Sequence, residues 1–433
     1  MFQTIIIGGG PSGIMAAISA SQNEQSVLLI EKKKGLGRKL KISGGGRCNV
    51  TNNLPYEEII KNIPGNGKFL YSPFTLFDNQ SIIQFFESRG LKLKEEDHGR
   101  MFPITDKSQD VLDILIAEMN KQQVTVIENS PVASVSFSNG SYTVILEDGK
   151  HYYAKTVVIA TGGTSVPHTG STGDGYQFAI SFGHTITELF PTEVPIKSHE
   201  PFIKSQTLKG LSLKDVGLSV LRKNGKKRIT HQMDMLFTHF GISGPAALRC
   251  SQFIYKEQQQ QKRQDIQMQL DVFPSINEEQ LKQKIISLLK EQPDKIIKNA
   301  LKGLIETRYL HFIIEQANID LETTYHHLSA QQINQLAHLF KAFTFTVNGT
   351  LPLEKAFVTG GGVSIKEIVP TTMSSKLQDG LFLCGEVLDI HGYTGGYNIT
   401  SALVTGYVAG YYAGQFSPAE VIENPLFNEG TEL

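Results

Sequence analysis

Phe2-Gln3-Thr4-Ile5-Ile6-Ile7-Gly8-Gly9-Gly10-Pro11-Ser12-Gly13 opens the chain, and its reading decides the fold. The apolar run Phe2–Ile7, halted at once by glycines, reads as a buried strand. Ser12–Gln22, rich in Ala and Ile, reads as a helix, and Ser26–Ile30 as a second strand closed by Glu31. Together they form a β-α-β unit of about thirty residues. Gly8, Gly10 and Gly13 occupy the three slots of a G-x-G-x-x-G turn. Gly8 permits the tight turn, Gly10 lets the backbone approach a pyrophosphate, and Gly13 lets helix and strand pack closely. The unsatisfied N–H groups of the helix N-terminus then face the phosphates. Glu31 is placed to accept hydrogen bonds from the ribose hydroxyls. A dinucleotide site follows, but this unit does not separate NAD from FAD.

Two distant segments do. Val157-Val158-Ile159-Ala160-Thr161-Gly162-Gly163 is a strand and turn that brings the chain back beside the dinucleotide. Leu383-Cys384-Gly385-Glu386, followed by Gly395-Gly396-Tyr397-Asn398 and an Ala/Gly-rich helix, reads as a flavin-side motif. An acid there reaches the ribitol, and a helix N-terminus aimed at the N1/O2 edge favours the negative charge of a reduced flavin. No second strand–G-x-G-x-x-G–helix unit occurs, so the expected cofactor is FAD, with NAD(P)H as a transient small-molecule electron donor. Expected contacts are Gly8, Gly10, Pro11, Ser12, Gly13, Glu31 and Lys32, then Arg38, Lys39, Ser43, Gly44, Gly46, Arg47 and Asn49 in the following loop. Val132, Ala160, Thr161, Gly162, Gly385, Glu386, Gly395, Gly396, Tyr397 and Asn398 complete the set.

Working outward, Gln80–Ser88 and Gln109–Lys121 carry helical spacing, and Val132–Phe137 and Ser141–Leu146 alternate around Asn139-Gly140 as a hairpin. From Pro191 the texture changes. Leu211–Leu221, Arg228–Met233 and Ile266–Phe273 suggest an antiparallel barrel, and Asn277–Leu289, Asp294–Ile305, Arg308–Ala317 and Ala330–Phe340 suggest helices. The Gln258–Gln261 run reads as a polar loop. At Ala356 the first texture returns. The expected fold class is therefore α/β: a Rossmann-type FAD domain from 1–190 and 356–433, interrupted by a β-barrel-like domain at 191–275 and a helical subdomain at 276–355.

The formal net charge of −1 hides an asymmetry. Residues 191–355 hold 22 Lys and Arg against 16 Asp and Glu, while the remainder holds 19 against 26. Arg222, Lys223, Lys226, Lys227 and Arg228 crowd around Asn224-Gly225 at a hairpin tip, which is either a solvated turn or a grip on ribosomal RNA phosphates. Cys48, Cys250 and Cys384 are widely spaced, which fits a reducing cytoplasm and leaves no thiolate zinc site. The adjacent His326-His327 pair gives no support to any other metal. No basic segment precedes Thr4–Ile7 as in a secretory leader, and no run of about eighteen apolar residues spans a membrane. Oligomeric state is left open.

Three stretches carry a resemblance to a known family: Gly37-Arg38-Lys39-Leu40-Lys41-Ile42-Ser43-Gly44-Gly45-Gly46-Arg47-Cys48-Asn49-Val50-Thr51-Asn52, Phe237-Thr238-His239-Phe240-Gly241-Ile242-Ser243-Gly244-Pro245, and the Gly385-Glu386 to Gly395-Gly396-Tyr397-Asn398 tail. Over nearly its whole length the chain resembles the bacterial HI0933-like flavoproteins, whose members are labelled aminoacetone oxidase-like or NAD(P)/FAD-dependent oxidoreductases. The resemblance implies a glutathione-reductase-type FAD domain interrupted by a barrel with helices. It also implies reduction of an electron-poor C=C bond, in bile-acid intermediates or in a uridine of large-subunit ribosomal RNA that becomes dihydrouridine. The other readings are an amine or aminoketone oxidase, an enone reductase, and a flavin-bearing factor that binds RNA or ribosomes.

C=C reduction needs a hydride at one carbon and a proton at its neighbour. Cys48 is a candidate for the acid, but the packing reading is favoured, since buried free cysteines are usually inert. His239 is a candidate to protonate or orient substrate and equally a loop hydrogen-bond partner. Tyr393, between Glu386 and the flavin-facing glycines, is a candidate to stack on substrate or donate to it. Thr164–Tyr176, with its Gly170–Gly175 run, reads as a lid or backbone clamp.

Overall fold

Phe2–Ile7 carries apolar side chains on both faces and is buried from Gln3 onward, and such a strand needs cover on both sides. In the computed structural model, which describes residues 1–22 and 25–417, it lies inside a seven-stranded sheet. Residues 418–433, the end of the expected 356–433 segment, lie outside the described residues. Thr125–Ile127, Val27–Ile30, Phe2–Ile7 and His151–Ile159 run parallel in that order, and Leu381–Leu383 joins the far side of His151–Ile159, also parallel. The hairpin Val132–Ser138 and Ser141–Leu146 extends the sheet antiparallel. His151–Ile159 is a single strand whose first half pairs with the hairpin and whose second half pairs with Leu381–Leu383.

The turn glycines act as the spacing demands. A Cβ at Gly13 would stand 1.9 Å from the Gly8 carbonyl oxygen, so only hydrogen lets the Pro11–Ala20 helix sit on the strand end. The C-terminal helix, Tyr397–Gln415, then lies on Pro11–Ala20 through a second glycine stripe. A Cβ at Gly406, Gly410 or Gly414 would approach a backbone oxygen of Ser12, Ala16 or Ala20 to 2.1–2.4 Å. The two ends of the chain thus share one apolar core.

The chain leaves this core and returns to it through Phe190–Thr192 and Val358–Gly360, which pair antiparallel. Between them lies a second seven-stranded sheet, in the order Phe343–Val347, Ile266–Asp271, Ser212–Leu221, Lys227–Phe237, Gly241–Ser243, Ile196–Lys197, Gly349–Thr350. Its two end strands are consecutive in the chain, joined through Asn348 alone, so the sheet curls until its edges meet. Helices Glu278–Glu291, Thr307–Gln316 and Ala330–Ala342 share a single core with this sheet.

Two elements differ from expectation. Gln258–Gln261 is the last turn of the Pro245–Gln261 helix rather than a loop, because glutamine is a good helix former whatever its polarity. Within Asp294–Ile305 only Ile297–Ala300 is helical. The N–H of Ile297 is taken by the Thr323 carbonyl at 2.7 Å, so cross-chain pairing replaces the helix ladder there. Among the described residues no helix is long and apolar enough to cross a membrane.

Candidate active site

A cavity of about 960 Å³ runs from the glycine turn to the wall of the second sheet. The N-termini of Pro11–Ala20 and Tyr397–Gln415 both border it, which places two positive helix ends on one volume. At Gly10 an added Cβ would meet nothing within 4 Å, so backbone there is bare toward the cavity. Glu31 closes the same end: its Oε2 accepts from the Gly9 N–H at 2.7 Å and its Oε1 from the Lys33 N–H at 2.8 Å. Lys32 pairs with Asp174 at 2.6 Å and with Thr172, tying the 171–174 turn over that end.

Midway, Glu386 is held by three donors: Lys39 Nζ at 2.8 Å, the Thr359 N–H at 2.8 Å and the Ser165 hydroxyl at 3.1 Å. Ser165 and Thr359 had no signature in the sequence. Lys39 also donates to Ser165 at 2.6 Å, so the carboxylate, the ammonium and the hydroxyl form one closed network. Asn398 clasps the opposite turn, accepting from Gly392 N at 2.8 Å and donating to the carbonyls of Gly392 and Tyr393.

The cavity fits FAD. Its length joins two helix N-termini through bare glycine backbone, and three buried polar atoms on its wall, Asn49 Oδ1, Thr161 Oγ1 and Ser401 Oγ, have no hydrogen-bond partner among the described residues. Buried polar atoms are almost always paired, so unpaired ones on a cavity wall point to a polar ligand. Of the cofactor contacts expected from sequence, all but Gly13 and Gly46 border the cavity. Gly13 works in the packing behind it. Arg47 borders the mouth, but its guanidinium is committed to Glu96 and Asp106 and lies 4.1 Å over the Phe102 ring.

Of the three expected chemical residues, Tyr393 borders the cavity and Cys48 and His239 do not. Cys48 is fully buried, does not border the cavity, and burial pushes its thiol up to about 12. It sits at φ 60° below the glycine loop, its N–H on the Ser43 carbonyl, and is a packing residue. His239 is exposed and edge-on to Phe240, away from the cavity, because it lies in the turn between the strands Lys227–Phe237 and Gly241–Ser243. Tyr393 stays: it borders the cavity, and burial raises its hydroxyl above the ordinary range, so it carries its proton at neutral pH.

Tyr393 brings a cluster that sequence reading missed. The Arg249 guanidinium lies 4.9 Å from its ring centre, and the His231 ring stands edge-on at 4.9 Å. Arg249 Nη2 donates to the Thr394 carbonyl at 3.1 Å and Nη1 to Asn62 Oδ1 at 3.4 Å, and Nε has no partner among the described residues. Burial holds His231 down at about 4, so its imidazole is neutral. Behind Thr394 is Glu193, which comes from the 193–195 turn. The one local sign was a cation between buried Ala246, Ala247 and Cys250 on the Pro245–Gln261 helix.

A model of the HI0933-like protein Rossmann domain matches residues 2–412. The chain belongs to the HI0933-like family. Like its family, it is a flavin-dependent oxidoreductase that takes FAD. Among curated relatives, this HI0933-like chain is 30% identical over 414 residues to the 3-dehydro-bile acid delta(4,6)-reductase of Clostridium scindens, covering 95% of this chain and 98% of the relative. It is 31% identical over 402 residues to the ribosomal RNA dihydrouridine synthase of Escherichia coli, covering 92% and 94%. The protein of the same name from Haemophilus influenzae is 29% identical over 410 residues, covering 94% and 96%.

Proposed function

We propose that this HI0933-like protein reduces a conjugated C=C bond, and that its substrate is a uridine of large-subunit ribosomal RNA, reduced to dihydrouridine. The observation that carries the reading is the meeting of Tyr393 and Arg249 at one end of a flavin-sized cavity. In uracil a hydride adds at C6, negative charge builds on O4, and a proton adds at C5. Arg249 donates to that oxygen as charge develops on it, which is the largest stabilisation a polar site offers such a step. Tyr393, protonated at neutral pH, hands its proton to C5. FAD, which the Gly8–Gly13 turn and the Glu386 network would hold, would supply that hydride when bound. The names of the relatives support both levels: a C=C reductase acting on a bile acid, and synthases acting on ribosomal RNA.

An RNA substrate needs a grip on phosphates and an unstacked base. Arg222, Lys223, Lys226 and Lys227 are exposed at the tip of the hairpin between Ser212–Leu221 and Lys227–Phe237. Met233 on the same strand borders the cavity, roughly 20 Å from Lys227 along an extended chain. Arg228 is not part of the grip, since Glu257 at 3.0 Å and Gln260 at 2.9 Å hold it.

The test is ribosomal RNA from cells lacking the protein, which should lose one dihydrouridine; an unchanged modification profile ends the uridine reading. Anaerobically reduced holoprotein is then mixed with RNA or with an enone in the absence of oxygen, or exposed to air. Reoxidation fastest by air favours an amine or aminoketone oxidase, and no acceleration by either organic acceptor favours a binding factor.

A further inference from the structure

Glu193 is a carboxylic acid where none is expected. It is 1% exposed and sits at φ 51°, a left-handed backbone unusual outside glycine. Its Oε2 accepts from the Thr394 N–H at 2.7 Å, while Oε1 has no partner among the described residues. Arg249 reaches the carbonyl of the same Thr394 at 3.1 Å. One residue of the active-site turn is therefore gripped from its N–H by an acid and from its C=O by a cation. Tyr393, one position earlier, is anchored by its N–H on the Asn62 carbonyl at 3.0 Å.

We propose that Glu193 is a positioning residue that also regulates charge. It fixes the Tyr393–Gly395 turn through Thr394 and, by holding or losing a proton, decides how much of the Arg249 charge faces the cavity. The groups facing it are Arg249 and Cys250 from the Pro245–Gln261 helix and Tyr393 and Thr394 from the turn. Burial raises both Cys250 and Tyr393, so the two stay neutral and Arg249 is the charged neighbour. Burial also pushes Glu193 up to about 7, against the opposing pull of the Thr394 N–H and Arg249. Below that pH the acid is neutral and Arg249 presents a full positive charge to an oxygen of the substrate. Above it the carboxylate cancels that charge. The inference rests on the reductase reading only for the use made of the charge.

Nitrate, a planar oxyanion, is the probe: it is titrated into oxidised FAD-loaded protein and followed through the flavin absorption. In wild type its dissociation constant should rise roughly tenfold between about pH 6 and pH 8, since one pKa unit is a factor of ten. Glu193→Gln keeps an acceptor for the Thr394 N–H but cannot ionise, and should bind nitrate with the same affinity at both pH values. Arg249→Met should bind none. Equal pH dependence in wild type and Glu193→Gln, or no nitrate binding by wild type at either pH, overturns the proposal. Should Glu193→Gln not fold, the infrared band of a buried carboxylic acid in wild type decides. Titration near pH 7 supports the assignment, and absence of the band at about pH 6 overturns it. Protein that shows the nitrate behaviour yet reduces no C=C bond keeps this inference and loses the proposed function; the converse keeps the reductase and loses Glu193.

Discussion

The two ends of the cavity are built by different means. At the dinucleotide end, Gly8–Gly13 and Glu31 lie within one β-α-β unit, and the contacts are backbone N–H groups exposed by glycine. At the other end, Arg249, Tyr393, His231, Asn62 and Glu193 come from five segments and are held together by side chains and long-range backbone bonds. Binding a pyrophosphate needs bare backbone at a helix start, which one short stretch of chain supplies alone. Polarising a carbonyl and delivering a proton needs charges and hydroxyls at fixed separations, which one stretch of backbone cannot supply.

The comparison breaks first at Gly10. Its Cβ position is open, so Gly10→Val should fold with an unchanged melting transition yet carry no flavin, read as absorbance per chain. A variant that retains flavin would mean backbone approach at Gly10 is not what holds the cofactor. Gly13→Val, by contrast, should not fold, because its Cβ meets the Gly8 oxygen.

Next in size is Tyr393→Phe. Loss of a general acid slows turnover by about 10²–10⁴-fold, whereas reduction of the flavin by the nicotinamide donor should proceed as in wild type. Stopped-flow measurement of the two half-reactions separates them, and a matching loss in both would place Tyr393 in cofactor binding instead.

A smaller effect is expected at the hairpin. Replacing Lys223, Lys226 and Lys227 by Gln should weaken RNA binding and flatten its dependence on log salt by about 0.7–0.9 for each phosphate contact removed. Turnover of a small enone should not change. An unaltered salt slope would show that RNA docks elsewhere.

The smallest effects sharpen the correction at Cys48 and His239. Cys48→Ala should leave turnover and its pH profile untouched and cost about 1 kcal/mol of stability, as a buried packing change does. His239→Ala should alter neither property, and a thermal melt with steady-state rates checks both.

Much of the fold was legible because its signals are local. The first β-α-β unit, the 132–146 hairpin and the Pro11 and Tyr397 helices follow from apolar periodicity and glycine placement. The differences lie where pairing across the chain outcompetes local preference, as at Ile297, or where a polar run reads as a loop, as at Gln258–Gln261. In the site, Cys48 looked reactive because it stands among glycines and cations in the sequence. The backbone turns left-handed there and points it inward.

By itself, then, the sequence determined an FAD-binding α/β fold, the glycine-rich runs at Gly8–Gly13 and Gly385–Asn398 that carry its signature, and a basic segment that interrupts it. Those properties reside in runs of a few residues whose backbone geometry is self-determined. Only the tertiary structure decided which side chains gather around Tyr393 at the far end of the cavity. Arg249, Tyr393 and Glu193 are far apart in the chain, and their charges act on one another only where folding has removed the water between them.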